Sequence, residues 1–324
     1  MEFVKEYDYS DVYLKPQKCI IHSRSECNTS VTLGKRTFKM PVYPSNMKSV
    51  VNQYTCAYLA SKGWFYSMHR FDVELEQFAR YMTDLNYFVS ISLGINLDSK
   101  ENFERMVKAG FNPEYITIDV ANAWTERVKD TIKMIQDSCS SFLIVGNVSC
   151  AEAVDELADW GADACKCGQA VGRVCTTRNK TGFSGGIVSN IIDCVENTKS
   201  DIPIIADGGV GEHGDIAKSL SLGSYMVMCG SLFAGYDQSA GDIISFPNEE
   251  HGEIQYKEYY GSASEHNKGE YRNIEGKKIM IPYRGDMYKL LIELREDLQS
   301  SISYAGVRDL EGLRRIKKLI VINK

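Results

Sequence analysis

Two hydrophobic periods alternate along the chain: short apolar or β-branched runs, and longer stretches whose apolar residues recur at i, i+3 and i+4. The first period predicts buried strands and the second predicts amphipathic helices packed between them. Eight strand-like runs are present: PVYPSNM from Pro41, WFYSM from Trp64, YFVSISLG from Tyr87, YITIDV from Tyr115, FLIVGNV from Phe142, ADACKCG from Ala162, PIIADGG from Pro203 and YMVMCGS from Tyr225. Helix-period segments are predicted over 72–85, 100–109, 124–136, 151–160, 187–196 and 214–222.

Strands separated by helices make parallel sheets, and eight such units close a barrel. The predicted fold class is therefore α/β, a (β/α)8 TIM barrel, in preference to an open doubly wound sheet. Residues 1–39 form an N-terminal extension, and residues 236–282 form a long polar loop insertion before a final helix over 287–301. Long insertions in compact domains commonly carry function. The chain 1–324 is read as one catalytic barrel domain, with no inserted regulatory domain.

Polar residues and glycines gather where the strands end: Ser45 and Asn46, His69 and Arg70, Asp119, Asn147, Gly168, Asp207 to Gly209, and Gly230 with Ser231. In a barrel those ends converge on one mouth, where active sites are built.

Composition narrows the partners. A formal charge of −6 disfavours a nucleic-acid or anionic-membrane surface, since either needs a basic excess. No apolar run approaches the ~18 residues of a membrane span, and MEFVKEYDYS lacks the basic head and apolar middle of a secretion signal. These features predict a cytoplasmic protein. The ten cysteines contain no CxxC pair, so most are expected to be small buried hydrophobes. Cys165 and Cys167 share one strand face in an apolar segment and lack the second ligand pair of a metal site.

Cys175 follows the sixth strand in a glycine-punctuated loop, GQAVGRVCTTR, whose backbone donors and following helix could favour a thiolate. A thiolate is a strong nucleophile near neutral pH. By counting alone Cys175 is one inert cysteine among ten; the Thr177 hydroxyl two residues on and Arg178 at the loop's end favour chemistry. Asp207 ends the seventh strand before two glycines. Its carboxylate can accept ribose hydroxyls, while Gly208 and Gly209 let backbone amides approach a phosphate. Gly230 and Ser231 repeat the arrangement one strand later, in the pair of loops where many barrels hold phosphate. Arg173 can clamp a phosphate bidentately, or it can point to a different nucleotide. Taken by itself, Glu275 reads as a solvated surface residue.

The chain resembles the IMP dehydrogenase and GMP reductase family. The resemblance runs in order through YDYSDVYLKP (7–16), PVYPSNM (41–47), SMHRF (67–71), IDVANAW (118–124), GNV (146–148), GRVCTTRNKTGF (172–183), IADGGVGEHGDIAKSLSLG (205–223), VMCGSLFAG (227–235), KEYYGSAS (257–264), NIEGKK (273–278) and LQSSISYAG (298–306). It implies a purine mononucleotide with its phosphate on Gly208, Gly209, Gly230 and Ser231 and its ribose on Asp207. Ser45, Met47, Arg173 and Tyr259 complete that subsite, and Gly261, Ser262, Ala263 and the 272–276 segment, with Arg272, Glu275 and Gly276, face the base. Arg70, Asp119, Val120, Ala121, Gln169 and Ala170 are implied to meet NADPH.

On the reductive side of the family, the resemblance implies that Cys175 would attack purine C2, that Thr177 and Glu275 would handle the protons of the leaving amine, and that GMP would become IMP and ammonia. Purine salvage and a homotetramer are implied with it. Dehydrogenases of the family usually carry an inserted regulatory domain and a long flap that activates water. Only about ten residues separate Ser264 from Glu275, which favours the reductive reaction. The alternatives are a paralogue acting on another guanine-type nucleotide, an IMP dehydrogenase-like enzyme and a catalytically silent nucleotide-binding protein. The loop before the cysteine reads GQAVG where the family usually has GIGPG. Relatives hold a monovalent cation on carbonyls there, at positions that fall on Gly172, Cys175 and Arg178, and Ala170 restricts φ in that loop.

Overall fold

A computed structural model describes residues 4–248, 252–269, 274–316 and 319–322. Seven parallel strands form one curled sheet in the spatial order Val42–Pro44, Met226–Cys229, Ile204–Asp207, Ala164–Cys167, Phe142–Val148, Tyr115–Asp119 and Ser90–Leu93. The remaining position of the barrel is taken by residues 64–68, which join through a single parallel bridge between Met68 and Ile91. Every predicted strand run thus lies in the barrel wall, the second as an irregular stave.

Side chains alternate across each strand, so every second residue points into the barrel. The interior is layered. Phe38, Phe65, Phe88 and Tyr115 fill the lower end with mostly edge-to-face contacts, Phe38 to Phe65 at 5.2 Å and Phe65 to Tyr115 at 5.1 Å between centroids. Phe38 comes from an antiparallel hairpin, Val31–Leu33 with Arg36–Phe38, and the Tyr115 hydroxyl donates to Leu33 O at 2.7 Å. The N-terminal extension therefore plugs the barrel floor. Above it Ser67, Ser92 and Thr117 exchange hydroxyl hydrogen bonds at 3.0 and 3.1 Å, and the interior becomes polar toward the mouth.

The helices fall between the strands: Leu75–Asp84, Leu97–Lys108, Glu126–Ser138, Ala151–Asp159, Ile187–Glu196 and His213–Ser221. Their ends sit within a few residues of the predicted bounds, as expected where caps decide; the Asn96 side chain accepts from Ser99 N and starts one helix earlier than its apolar stripe suggests. The first crossover helix, Gln53–Ser61, has no amphipathic stripe to reveal it. The final helix runs Met287–Tyr304.

The insertion contains its own three-stranded antiparallel sheet, Ile243–Asn248, Gly252–Tyr260 and Lys278–Pro282. Its central strand buries Lys257 and Tyr259, and the Lys257 ammonium donates to Ser239 O at 3.0 Å. Because one of the two inward residues is a lysine, the hydropathy pattern reads as a polar loop. Among the described residues no helix is long and apolar enough to cross a membrane.

Candidate active site

The strand ends converge as a barrel requires, and the loop after the sixth strand is held from two sides. At its start Gly168 (φ +130°) lies so close to the next strand that a Cβ would come within 2.2 Å of the Asp207 carbonyl oxygen, so only glycine fits. At its end the insertion is stitched to it. Thr176 N donates to Glu275 O at 2.8 Å, Lys277 N to Val174 O at 2.9 Å, and Glu275 N to Ala263 O at 3.0 Å. Gly261 and Gly276 pass one another with a built Cβ of either only 3.3 Å from the other's Cα. These backbone bonds carry Glu275, distant in sequence, to the loop that bears Cys175.

The result is a donor chain of three side chains. The Cys175 thiol donates to Thr177 Oγ1 at 3.2 Å, and the Thr177 hydroxyl donates to Glu275 Oε2 at 2.6 Å. All three are half-buried. Such a chain can take a proton from the sulfur through a hydroxyl onto a carboxylate, and can return one along the same path.

The expected phosphate residues also meet. A Cβ on Gly230 would lie 2.3 Å from the Tyr259 hydroxyl and 3.4 Å from Ser45 Oγ, and one on Gly208 would lie 2.9 Å from Val171 and 3.5 Å from Gly172 N. Gly209 sits over Ile187 and Tyr9. Ser231 is buried beside them, Met47 is half-buried at the end of the first strand, and Arg173 is exposed on the loop between. Ser262 and Ala263 are half-buried in the turn that leads from the insertion sheet to Ser264. Arg272 lies outside the described residues.

Deeper in the mouth stands a group the sequence motifs did not single out. Lys166, 1% exposed, donates to Asp119 Oδ1 at 2.9 Å and to Asp207 Oδ2 at 3.0 Å. Asn147 donates to the same Asp207 oxygen at 2.8 Å and to Gly168 O at 2.6 Å. Burial alone would discharge the lysine, but the two carboxylates outweigh it and hold its pKa above the ordinary range. Burial likewise pushes Asp119 up, and the charges of Lys166 and Arg70 with hydrogen bonds from Lys166 and Asn46 leave it below its ordinary value. The clue in the sequence was a lysine within an otherwise apolar strand, ADACKCG; its neighbours Cys165 and Cys167 point outward and are fully buried under the helices.

Arg70 lies 4.0 Å from Asp119, its guanidinium rests 4.4 Å from the Phe71 ring, and its buried Nε has no hydrogen-bond partner among the described residues. Val120 and Ala121 follow Asp119 at the rim, where Trp124 is 42% exposed. An unsatisfied cationic donor, a carboxylate and an exposed indole fit a phosphorylated dinucleotide such as NADPH. The Gln169 amide donates to Ala121 O at 3.0 Å and Asn147 O at 3.1 Å and accepts from Ser149 at 2.8 Å. It is spent on tying the loop that bears Cys175 to the rim. Ala170 adopts φ +61°, the conformation glycine favours, at a cost of about 1–2 kcal/mol. Of the carbonyls expected around a monovalent cation, Gly172 O accepts from Cys175 N at 3.0 Å and Arg178 O from Gly182 N at 3.1 Å.

His69, beside Arg70, is 5% exposed and its Nδ1 accepts from Phe71 N at 3.2 Å. Burial, reinforced by the Lys48 charge, pulls its pKa from 6.5 down to about 4. A depressed folded pKa means that the neutral ring's contribution is complete above pH 6.5 and is lost as pH falls toward 4. The expected loss is about 1.5 kcal/mol at pH 5.5. Urea unfolding at pH 7.5 and 5.5 checks this, with His69→Gln losing less stability over that interval; equal slopes for the two proteins would contradict it.

The model of the IMP dehydrogenase / GMP reductase domain matches residues 6–324. A protein named GMP reductase from Chromobacterium violaceum is 54% identical over 317 residues, covering 98% of each chain. Proteins of the same name from Paracidovorax citrulli and Helicobacter pylori are each 47% identical, covering 97% and 99% of this chain and 96% and 98% of their own.

Proposed function

The chain belongs to the IMP dehydrogenase / GMP reductase family, and we propose that it is a GMP reductase, an NADPH-dependent oxidoreductase that deaminates GMP to IMP and ammonia. The observation that carries this reading is the Cys175, Thr177, Glu275 chain, a thiol joined through a hydroxyl to a carboxylate beside a cradle for a phosphorylated ribose. Full-length similarity to proteins of that name supports it.

The Cys175, Thr177, Glu275 chain supports a route for the protons of the first half-reaction. Cys175 Sγ loses its proton to Thr177 Oγ1 as Thr177 passes its own to Glu275 Oε2, and the sulfur forms a bond to C2 of the purine. Glu275 returns the proton through Thr177 to the exocyclic nitrogen, because an amine leaves readily only once protonated. The C2–N bond breaks, ammonia departs, and C2 remains bound to Sγ as a thioimidate. NADPH, when bound, supplies the hydride that C2 takes up. The C2–S bond then breaks and Cys175 regains a proton. In total GMP, NADPH and two protons give IMP, ammonium and NADP+. Asp207 accepts the ribose hydroxyls, Gly208, Gly209, Gly230, Ser231 and Tyr259 surround the phosphate, and Arg173 closes over it. Arg70 and Asp119 would hold the cofactor at the rim.

The short link from Ser264 to Glu275 supports reduction over oxidation. Its described part is a single helical turn, Glu265–Lys268, whereas a flap that brings in a water-activating base needs more chain. The whole chain works in this reading as one catalytic unit without a regulatory insert, cytoplasmic and assembled as a homotetramer.

Purified protein is expected to oxidise NADPH, followed by loss of its near-ultraviolet absorbance, only when GMP is added, with IMP and ammonia as products. Reduction of a nicotinamide cofactor by IMP would make the protein a dehydrogenase instead. Tight binding of a purine nucleotide without turnover of either pair would favour a silent or respecialised relative.

A further inference from the structure

Lys166 sits at the floor of the mouth with one ammonium shared between two carboxylates, one on each side of the site. We propose that Lys166 is a positioning residue that links the two half-sites, aiming Asp207 at the nucleotide ribose and Asp119 at the cofactor, so that loss of its charge weakens both ligands together. The proposal rests on the GMP reductase reading above.

Geometry sets Lys166 apart from a structural ion pair. Asp207 spends only Oδ2 on Lys166 and Asn147, leaving Oδ1 with no donor among the described residues while its side chain is 17% exposed toward the mouth. Asp119 spends Oδ1 on Lys166 and turns Oδ2 toward Arg70 with 19% exposure. Asp207 is thus anchored by one oxygen and open by the other, which suits a group that must meet a hydroxyl in a fixed direction, while Asp119 is held by Lys166 and Asn46 and keeps part of its side chain exposed beside Arg70. A buried ion pair kept for stability alone gains little, because desolvation offsets the attraction. The ammonium is itself fixed by the strand. A Cβ on Gly146 would come within 2.4 Å of Lys166 Cβ, so the neighbouring strand is kept bare to admit this side chain.

The other groups facing Lys166 leave it no alternative anion. From the first strand comes the buried Tyr43 phenol, whose pKa burial raises, and from the eighth comes Met228, its sulfur 3.8 Å from Nζ. From the fifth comes the neutral Asn147, and Arg70 reaches Asp119 from beyond. The two carboxylates and the two cations balance. Without Lys166, Asp119 and Asp207 lose the donor they share, and with it a hydrogen bond that fixes the direction of each.

Steady-state kinetics of the full chain test this with Lys166→Met and Lys166→Arg. In K166M the KM values for GMP and NADPH are both expected to rise about tenfold, within the usual range of coupling between sites, with kcat falling less. K166R keeps a cation but moves it, so both KM values are expected to shift together; it decides the matter alone where K166M does not fold. The proposal is overturned by a K166R protein in which one KM moves alone or neither moves, and by a folded K166M protein with wild-type KM values. A wild type that does not turn over GMP fails the reading of function. A wild type that does, beside unresponsive Lys166 variants, fails the linkage alone.

Discussion

Replacement of Cys175 by alanine is expected to lower kcat for GMP with NADPH by about four orders of magnitude or more, the scale reached when the attacking atom itself is removed. No other described group stands at the head of the donor chain through Thr177 to Glu275. The loop should survive, because its hold on the barrel is through backbone: Cys175 N on Gly172 O, Thr176 N on Glu275 O and Lys277 N on Val174 O. Binding of GMP to C175A, followed by calorimetry, is therefore expected to stay within severalfold of the wild type. Loss of binding in parallel with loss of rate would instead mean that the thiol holds the substrate in place.

Glu275→Gln is expected to reduce kcat by about 10²- to 10⁴-fold, the range for loss of a positioned acid–base group. The amide is nearly isosteric and can still meet the Thr177 hydroxyl at the 2.6 Å site, but it neither accepts the proton from the sulfur nor returns one to the amine. KM values should change little, since Glu275 meets the reacting atoms through Thr177. Thr177→Val breaks the same path at its middle and should fall in the same range; an E275Q protein with near wild-type kcat would show that the protons travel another way.

Much of this architecture is written in the chain's two periods. The sixth and seventh strands announce themselves as short apolar runs, and the residues that follow them, Gly168 and Asp207, stand at the mouth because parallel strands all end there. Cys175 and Thr177 could be placed at that mouth by the same logic. Glu275 could not. It lies in a polar segment, and only the pairing of Gly276 with Cys175 and the close passage of Gly261 and Gly276 bring it to the thiol. Contacts between segments so far apart leave no local pattern; the family resemblance, not the periodicity, pointed to it.

The insertion sheet was hidden for a related reason. Its inward-facing Lys257 satisfies its charge on Ser239 O, so a residue that looks solvated is buried. Lys166 misleads in the same way, counted as part of an apolar strand while its ammonium serves two carboxylates at the barrel's mouth. Buried lysines with assigned partners are where hydropathy fails, and in this fold one of them lies at the centre of the site. Ala170 is the converse: the chain departs from the family's glycine, and the backbone keeps the left-handed turn regardless.

The covalent step can be read directly. Protein mixed with GMP and NADP+, which cannot supply hydride, is quenched in acid and weighed intact. The mechanism predicts a fraction of protein heavier by GMP less ammonia, with the added mass on the peptide that contains Cys175, and no such species in C175A. Full turnover of GMP with NADPH in the wild type, no adduct under any quench, and retained activity in C175A would contradict covalent catalysis at Cys175.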